Sequence, residues 1–160
     1  MLSIRKNVFE TNSSSTHSIC ITQQRIRNLK VPKKLIFKLG EFGWEDAILN
    51  TPEEKASYLY TAICSLKDEK DRKKIINKIY TELWTYGVEA VFCPETSDEY
   101  GYIDHVYGLE DFLSKILTNS KRMVRYLFLE ESFVHTGNDN DGTDISINVP
   151  YKHEEYYKGN

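Results

Sequence analysis

Long apolar runs are missing from this sequence. Nothing in it approaches the ~20 consecutive apolar residues that cross a bilayer, and Met1–Glu10 has no apolar stretch of signal-peptide type. The expectation is a cytoplasmic protein with no membrane partner. Cysteine is also sparse. Cys20, Cys64 and Cys93 are odd in number and widely spaced, which excludes a disulfide framework and a CxxC zinc site and points to a reducing compartment. There is no Walker loop, no GxGxxG, no HExxH and no zinc-ligand spacing, so the common nucleotide-hydrolase, dinucleotide and zincin chemistries are disfavoured, and no cofactor is expected. Internal repeats and long linkers are absent too. With 160 residues and 40% hydrophobic content, the chain is expected to form one domain over 1–160 that buries a core without covalent staples.

Carboxylates are missing from one whole stretch. Residues 11–40 contain Arg25, Arg27, Lys30, Lys33, Lys34 and Lys38 and no Asp or Glu, a local charge of +6 in a chain whose net charge is -3. A basic segment on an acidic body suits an anionic ligand, a nucleic acid or a complex of host protein and nucleic acid. The competing reading is charge complementarity within the fold, or a solvated face.

Periodicity outlines the elements. Ser18–Thr22 alternates as a strand, and Leu35–Leu39 follows the Pro32 turn as another. A short helix over Gln23–Leu29 is expected between them. Thr51-Pro52-Glu53-Glu54 has the letters of a capping box with proline at the first helical position. Ala56, Leu59, Tyr60, Ile63 and Leu66 continue from it at helical spacing. A second helix is expected from about Asp71, with Ile75, Ile76, Ile79, Tyr80, Leu83 and Trp84 on its buried side and Gly87 as its stop. Val88–Cys93 reads as an interior strand and Gly101–Val106 as a further one. Leu109–Leu117 reads as a helix, with another capped by Ser120 and running through Leu129. At the end, Ser132–Thr136 and Thr143–Val149 flank a polar turn as a β-hairpin, followed by a polar, frayed tail from about residue 151. Helices grouped between strands predict an α+β class with a mixed or antiparallel sheet.

Candidate chemistry concentrates near the start. In Glu10-Thr11-Asn12-Ser13-Ser14-Ser15-Thr16-His17-Ser18, neutral hydrogen-bonding side chains surround one carboxylate and one imidazole. Asn12, Ser13, Ser14, Ser15 and Thr16 are candidate donors to phosphate or carbonyl oxygens, with Arg25 and Arg27 adding charge. His17 titrates near neutrality and is a candidate acid-base group, with Glu10 as its orienting carboxylate. The plainer alternative is a Ser/Thr-rich loop satisfying its own backbone. His105, in Asp104-His105, is a second candidate imidazole, weighed against a structural histidine; Asp104 is not its partner, because strand neighbours point to opposite faces.

The loop Gly40-Glu41-Phe42-Gly43-Trp44-Glu45 offers Trp44 or Phe42 for stacking on a base, against the alternative of rings tucked onto the core. The turn Asn138-Asp139-Asn140-Asp141 fails the EF-hand register when Gly142 is taken as the loop glycine. Metal binding is therefore not expected, although Asp139 and Asp141 are the candidate ligands, and His135 beside them adds little.

The opening from Arg5 to Ser18, with the motif Phe9-Glu10-Thr11-Asn12-Ser13-Ser14-Ser15-Thr16-His17-Ser18, resembles the start of a group of small uncharacterised proteins from bacteriophages and bacterial mobile elements. The Gly40–Glu45 loop, Ile103-Asp104-His105 and Gly137–Asp141 look like later parts of the same pattern. The resemblance implies a phage or prophage protein in the cytoplasm of a host bacterium, where small proteins often counter host defence or redirect host enzymes. Two functional expectations follow. One is a binding protein holding a phosphate-bearing ligand or blocking a nucleic-acid-handling host protein. The alternative is an enzyme acting on phosphate esters or nucleotides by histidine acid-base catalysis.

Overall fold

The computed structural model describes residues 15–43, 45–94, 101–104, 109–138 and 154–159. The longest strand, β1 (Ser15–Thr22), begins three residues before the alternation becomes legible at Ser18. After it, residues 23–33 run without regular structure. The helix expected over Gln23–Leu29 is not there, and Asn28, at φ 49, adopts a left-handed conformation that an α-helix cannot continue through. The chain then enters β2 (Lys34–Phe37), β3 (Glu41–Phe42) and β4 (Ala47–Leu49).

Helix α1 (Pro52–Cys64) starts where its capping box requires. Thr51 Oγ1 accepts from the Glu54 amide, and Glu54 Oε2 accepts from the Thr51 amide at 3.1 Å. Nearly its whole circumference is buried, including Lys55, Tyr58, Leu59 and Ile63, which makes it the central helix of the core. Lys55 is tolerated there because Nζ donates to the carbonyls of Leu129 at 2.7 Å and Ser132 at 2.9 Å. Burial pushes its ammonium down to about 8, while the nearby carboxylates of Glu131, Glu130 and Glu54 pull the other way.

Helix α2 (Glu69–Thr85) begins two residues before Asp71, because Asp68 caps it by accepting from the amides of Lys70 and Asp71. Gly87, at φ 75, ends it as expected. The expected buried side needs a correction. Ile79 and Leu83 are buried and Ile75 and Ile76 pack against the core, but Tyr80 and Trp84 are exposed. Each follows a buried residue by one position, and the ~100° advance per residue carries it round the helix, away from the core. Next come β5 (Glu89–Phe92), β6 (Tyr102–Ile103), α3 (Leu109–Thr118) and α4 (Ser120–Phe128). The cap of α4 is Asn119, which accepts from the Arg122 amide, and not Ser120. The last described strands are β7 (Phe133–Asn138) and β8 (Glu154–Gly159).

This is an α+β fold. Its main sheet is antiparallel, in the order β4-β7-β1-β8, and two parallel pairs, β2-β5 and β3-β6, stand beside it. One expectation about the end of the chain changes. Residues 154–159 do not fray: they pair with β1 from Thr22↔Glu154 to His17↔Gly159 and satisfy that edge's backbone groups. Strand β7 has β1 on one side and β4 on the other along Val134–Thr136; the expected hairpin partner Thr143–Val149 lies outside the described residues. Among the described residues, no helix is long and apolar enough to cross a membrane.

Candidate functional site

Alternation along β1 sets the geometry of the site. His17, Ile19 and Ile21 share one face, and Ser18, Cys20 and Thr22 share the other. All six are buried, so both faces of this part of the sheet are covered.

On the first face, His17 is only 1% exposed. Its Nε2 lies 3.1 Å from the Asp104 carbonyl and its Nδ1 lies 3.3 Å from the Tyr58 hydroxyl. A carbonyl can only accept, so Nε2 carries the proton; Nδ1 then accepts, and Tyr58 Oη–H donates. Burial holds the His17 imidazole below its usual value, opposed by the Asp104 carbonyl and carboxylate, and burial raises the Tyr58 phenol far out of reach of neutral pH. The Tyr58 ring also meets Phe42 edge-on at 5.2 Å between centroids and Phe112 at 6.3 Å.

The Asp104 carbonyl is positioned by the β3-β6 pair. The Tyr102 amide donates to the Gly40 carbonyl at 3.0 Å, and the Asp104 amide donates to the Phe42 carbonyl at 2.9 Å. Glycine is required on both sides of this approach. A Cβ on Gly101 would sit 2.7 Å from the Leu39 Cβ, and one on Gly40 would sit 2.7 Å from the Phe42 ring. Gly43, at φ 114, then turns the chain toward β4. Three segments singled out from the sequence therefore meet: the start of β1, the Gly40–Glu45 loop and Ile103-Asp104. The end of β7 joins them, since Thr136 lies opposite both His17 and Ala47.

Two hollows flank β3. One, of about 350 Å³, is lined by Glu41, Phe42, Glu45, Ala47, Tyr102 and Thr136 among others. The other, of about 580 Å³, runs between β2 and the first turns of α1 and includes Lys34, Lys38, Glu41, Phe42, Glu53 and Ser57. Glu41 and Phe42 border both. One hollow offers carboxylates, a hydroxyl and a phenol; the other adds two ammonium groups.

On the second face of the sheet, His135 Nε2 lies 2.5 Å from Asp46 Oδ1. His135 Nδ1 is buried with no hydrogen-bond partner among the described residues. Ser18 on β1 and Ile48 on β4 are its cross-strand neighbours. The sequence alone could not reveal the pair, because 89 residues separate Asp46 from His135. Strand alternation around Val134 was the one available hint that His135 turns away from the core. Tyr58 was hidden for a different reason: it falls outside the helical stripe Ala56, Leu59, Tyr60, Ile63 and Leu66, and it is buried because α1 is covered nearly all round.

The remaining sequence candidates are distributed as follows. Ser15 and Thr16 open β1 opposite Asn138 and Gly137; their side chains, like Glu10, Asn12, Ser13, Ser14, Trp44, His105, Asp139 and Asp141, lie outside the described residues. Arg25 and Arg27 are exposed in the 23–33 segment and line neither hollow. No cluster of three or more His, Cys, Asp or Glu suited to a metal occurs among the described residues. Comparison of the chain with protein-family models, with curated proteins and with solved structures gives no match in any of the three.

Proposed function

We propose that this chain is a binding protein of the phage or mobile-element accessory type, acting in the cytoplasm of a host bacterium and holding a small phosphate-bearing ligand in the two hollows beside β3. The observation that carries this reading is the pair of adjoining hollows bordered by Glu41 and Phe42, with Lys34, Lys38, Glu53 and Glu54 on one side and Glu45, Tyr102 and Thr136 on the other. Such mixed lining suits a molecule with a phosphate at one end and hydroxyl or amino donors at the other, as in a nucleotide. Phe42 between them offers an apolar edge for a flat ring. The phage setting rests on the resemblance of the opening residues alone.

Binding is favoured over turnover by the state of His17. Both of its ring nitrogens are engaged within the fold, and its pKa is depressed by burial, so it has neither a free position nor a poised proton to exchange with a substrate. Mass spectrometry of molecules released by heat from the purified protein, followed by titration with ATP and with inorganic phosphate, tests the reading. Replacing Lys34 and Lys38 together by alanine is expected to weaken nucleotide affinity roughly tenfold or more, the usual cost of removing charged hydrogen bonds. Product formation, or affinity indifferent to the double replacement, would count against it.

A further inference from the structure

We infer that the flank formed by residues 23–33 and the C-terminal half of α2 is a binding surface for single-stranded nucleic acid. This goes beyond the ligand site beside β3 and uses none of the side chains lining it.

The first observation is electrostatic. Arg25, Arg27, Lys30 and Lys33 are all exposed on an irregular segment, and none of them has an ion-pair partner among the described residues. Glu89 stands opposite Lys34 in the β2-β5 register. The four cations before it remain in excess on a segment whose wider stretch, 11–40, contains no carboxylate. A patch of this kind attracts a polyanion, and its strength falls steeply with salt.

The second observation is the exposed aromatic pair. Tyr80 is 46% exposed and Trp84 is 63% exposed. Their rings lie nearly parallel, at 14° with centroids 6.4 Å apart. With Lys73 and Asn77 they form a stripe on one side of α2 at helical spacing. Isolated exposed rings need no explanation, but two held side by side on a helix whose end lies near Lys33 form a stacking platform.

The backbone joins the two features. The Lys33 carbonyl accepts from the Glu89 amide at 2.9 Å, while the Val88 and Gly87 amides donate to the Leu83 and Trp84 carbonyls, each at 3.0 Å. Lys33 and the end of α2 therefore meet at the shared N-terminal end of β2 and β5. Cations tracking a phosphate backbone beside rings that present flat faces are the two requirements for gripping unpaired bases. A duplex keeps its bases stacked internally and could use only the charges.

The test is fluorescence anisotropy with the full chain and a labelled oligothymidylate, compared with a duplex of the same length over a salt series. Binding should favour the single strand and weaken as salt rises. Trp84→Ala, at an exposed position, should leave the melting temperature unchanged and weaken binding roughly 5- to 100-fold, the range for losing a base-aromatic stack. Lys30→Glu with Lys33→Glu should weaken it further and flatten the salt dependence. The inference is overturned by any of four results: no binding at low salt, equal affinity for the duplex, affinity unchanged in Trp84→Ala, or polyglutamate binding as tightly as the oligothymidylate, which would assign the patch to acidic protein. A shift in sedimentation on replacing Trp84 would also overturn it, by assigning the rings to self-association. The ligand test beside β3 depends on Lys34 and Lys38, so the two readings fail separately.

Discussion

The two faces of the four-stranded sheet bury comparable side chains to different ends. On the helix-facing side, His17 sits among Ile19, Ile21, Val134 and Tyr58, and each of its ring nitrogens has a partner. On the other side His135 reaches Asp46 through one nitrogen and leaves the second buried without a partner among the described residues. Burial alone therefore does not reveal a histidine's role. The first imidazole is fully used in joining β1 to α1 and to the 101–104 segment, and it is best understood as part of the core. The second keeps a hydrogen-bonding position in reserve.

That contrast can be broken experimentally. The largest effect is expected from Tyr58→Ala, which removes the ring touching His17, Phe42 and Phe112. It should cost about 3–5 kcal/mol in urea unfolding, as for other large aromatic truncations in cores, and a loss under about 1 kcal/mol would mean that this face is not the tightly packed one.

A smaller effect should appear as a pH slope. Burial lowers the His17 pKa below its ordinary 6.5, so on acidification the unfolded chain takes up a proton that the native imidazole still refuses. Stability contributed at neutral pH is then lost as pH falls below about 6.5, toward the lower native value. His17→Gln cannot titrate and should show a flatter stability profile between neutrality and pH 5; parallel profiles would remove His17 from the acid response.

The smallest effect is expected on the other face. Asp46 is half exposed, at 50% of its side chain, so Asp46→Asn should change stability by less than about 1 kcal/mol in the same unfolding measurement. A cost matching that of Tyr58→Ala would erase the distinction between the faces.

How much of this was readable in advance varies with the kind of signal. Helix α1 was legible to the residue because its start depends on a local exchange between Thr51 and Glu54, and Gly87 marked a stop that needs only its own backbone freedom. The last strand was not legible. Glu154–Gly159 has no apolar alternation, and it is a strand because β1 leaves an edge to be paired. Tyr80 and Trp84 misled for the opposite reason: helical spacing marks aromatic residues as core, while the width of the buried face is set by what α2 packs against. Of the candidate site, the sequence singled out His17, the Gly40–Glu45 loop and Asp104 as separate curiosities, without a reason to join them.

Composition and local pattern by themselves determined the α+β class, the helix starts and the charge-segregated stretch over 11–40, because each depends on groups a few residues apart. Tertiary structure alone decided that His17 belongs to the core, that Asp46 meets His135 and that Lys33 lies beside the end of α2. Those outcomes rest on hydrogen bonds and packing between residues tens of positions apart, and such contacts leave no period in the chain.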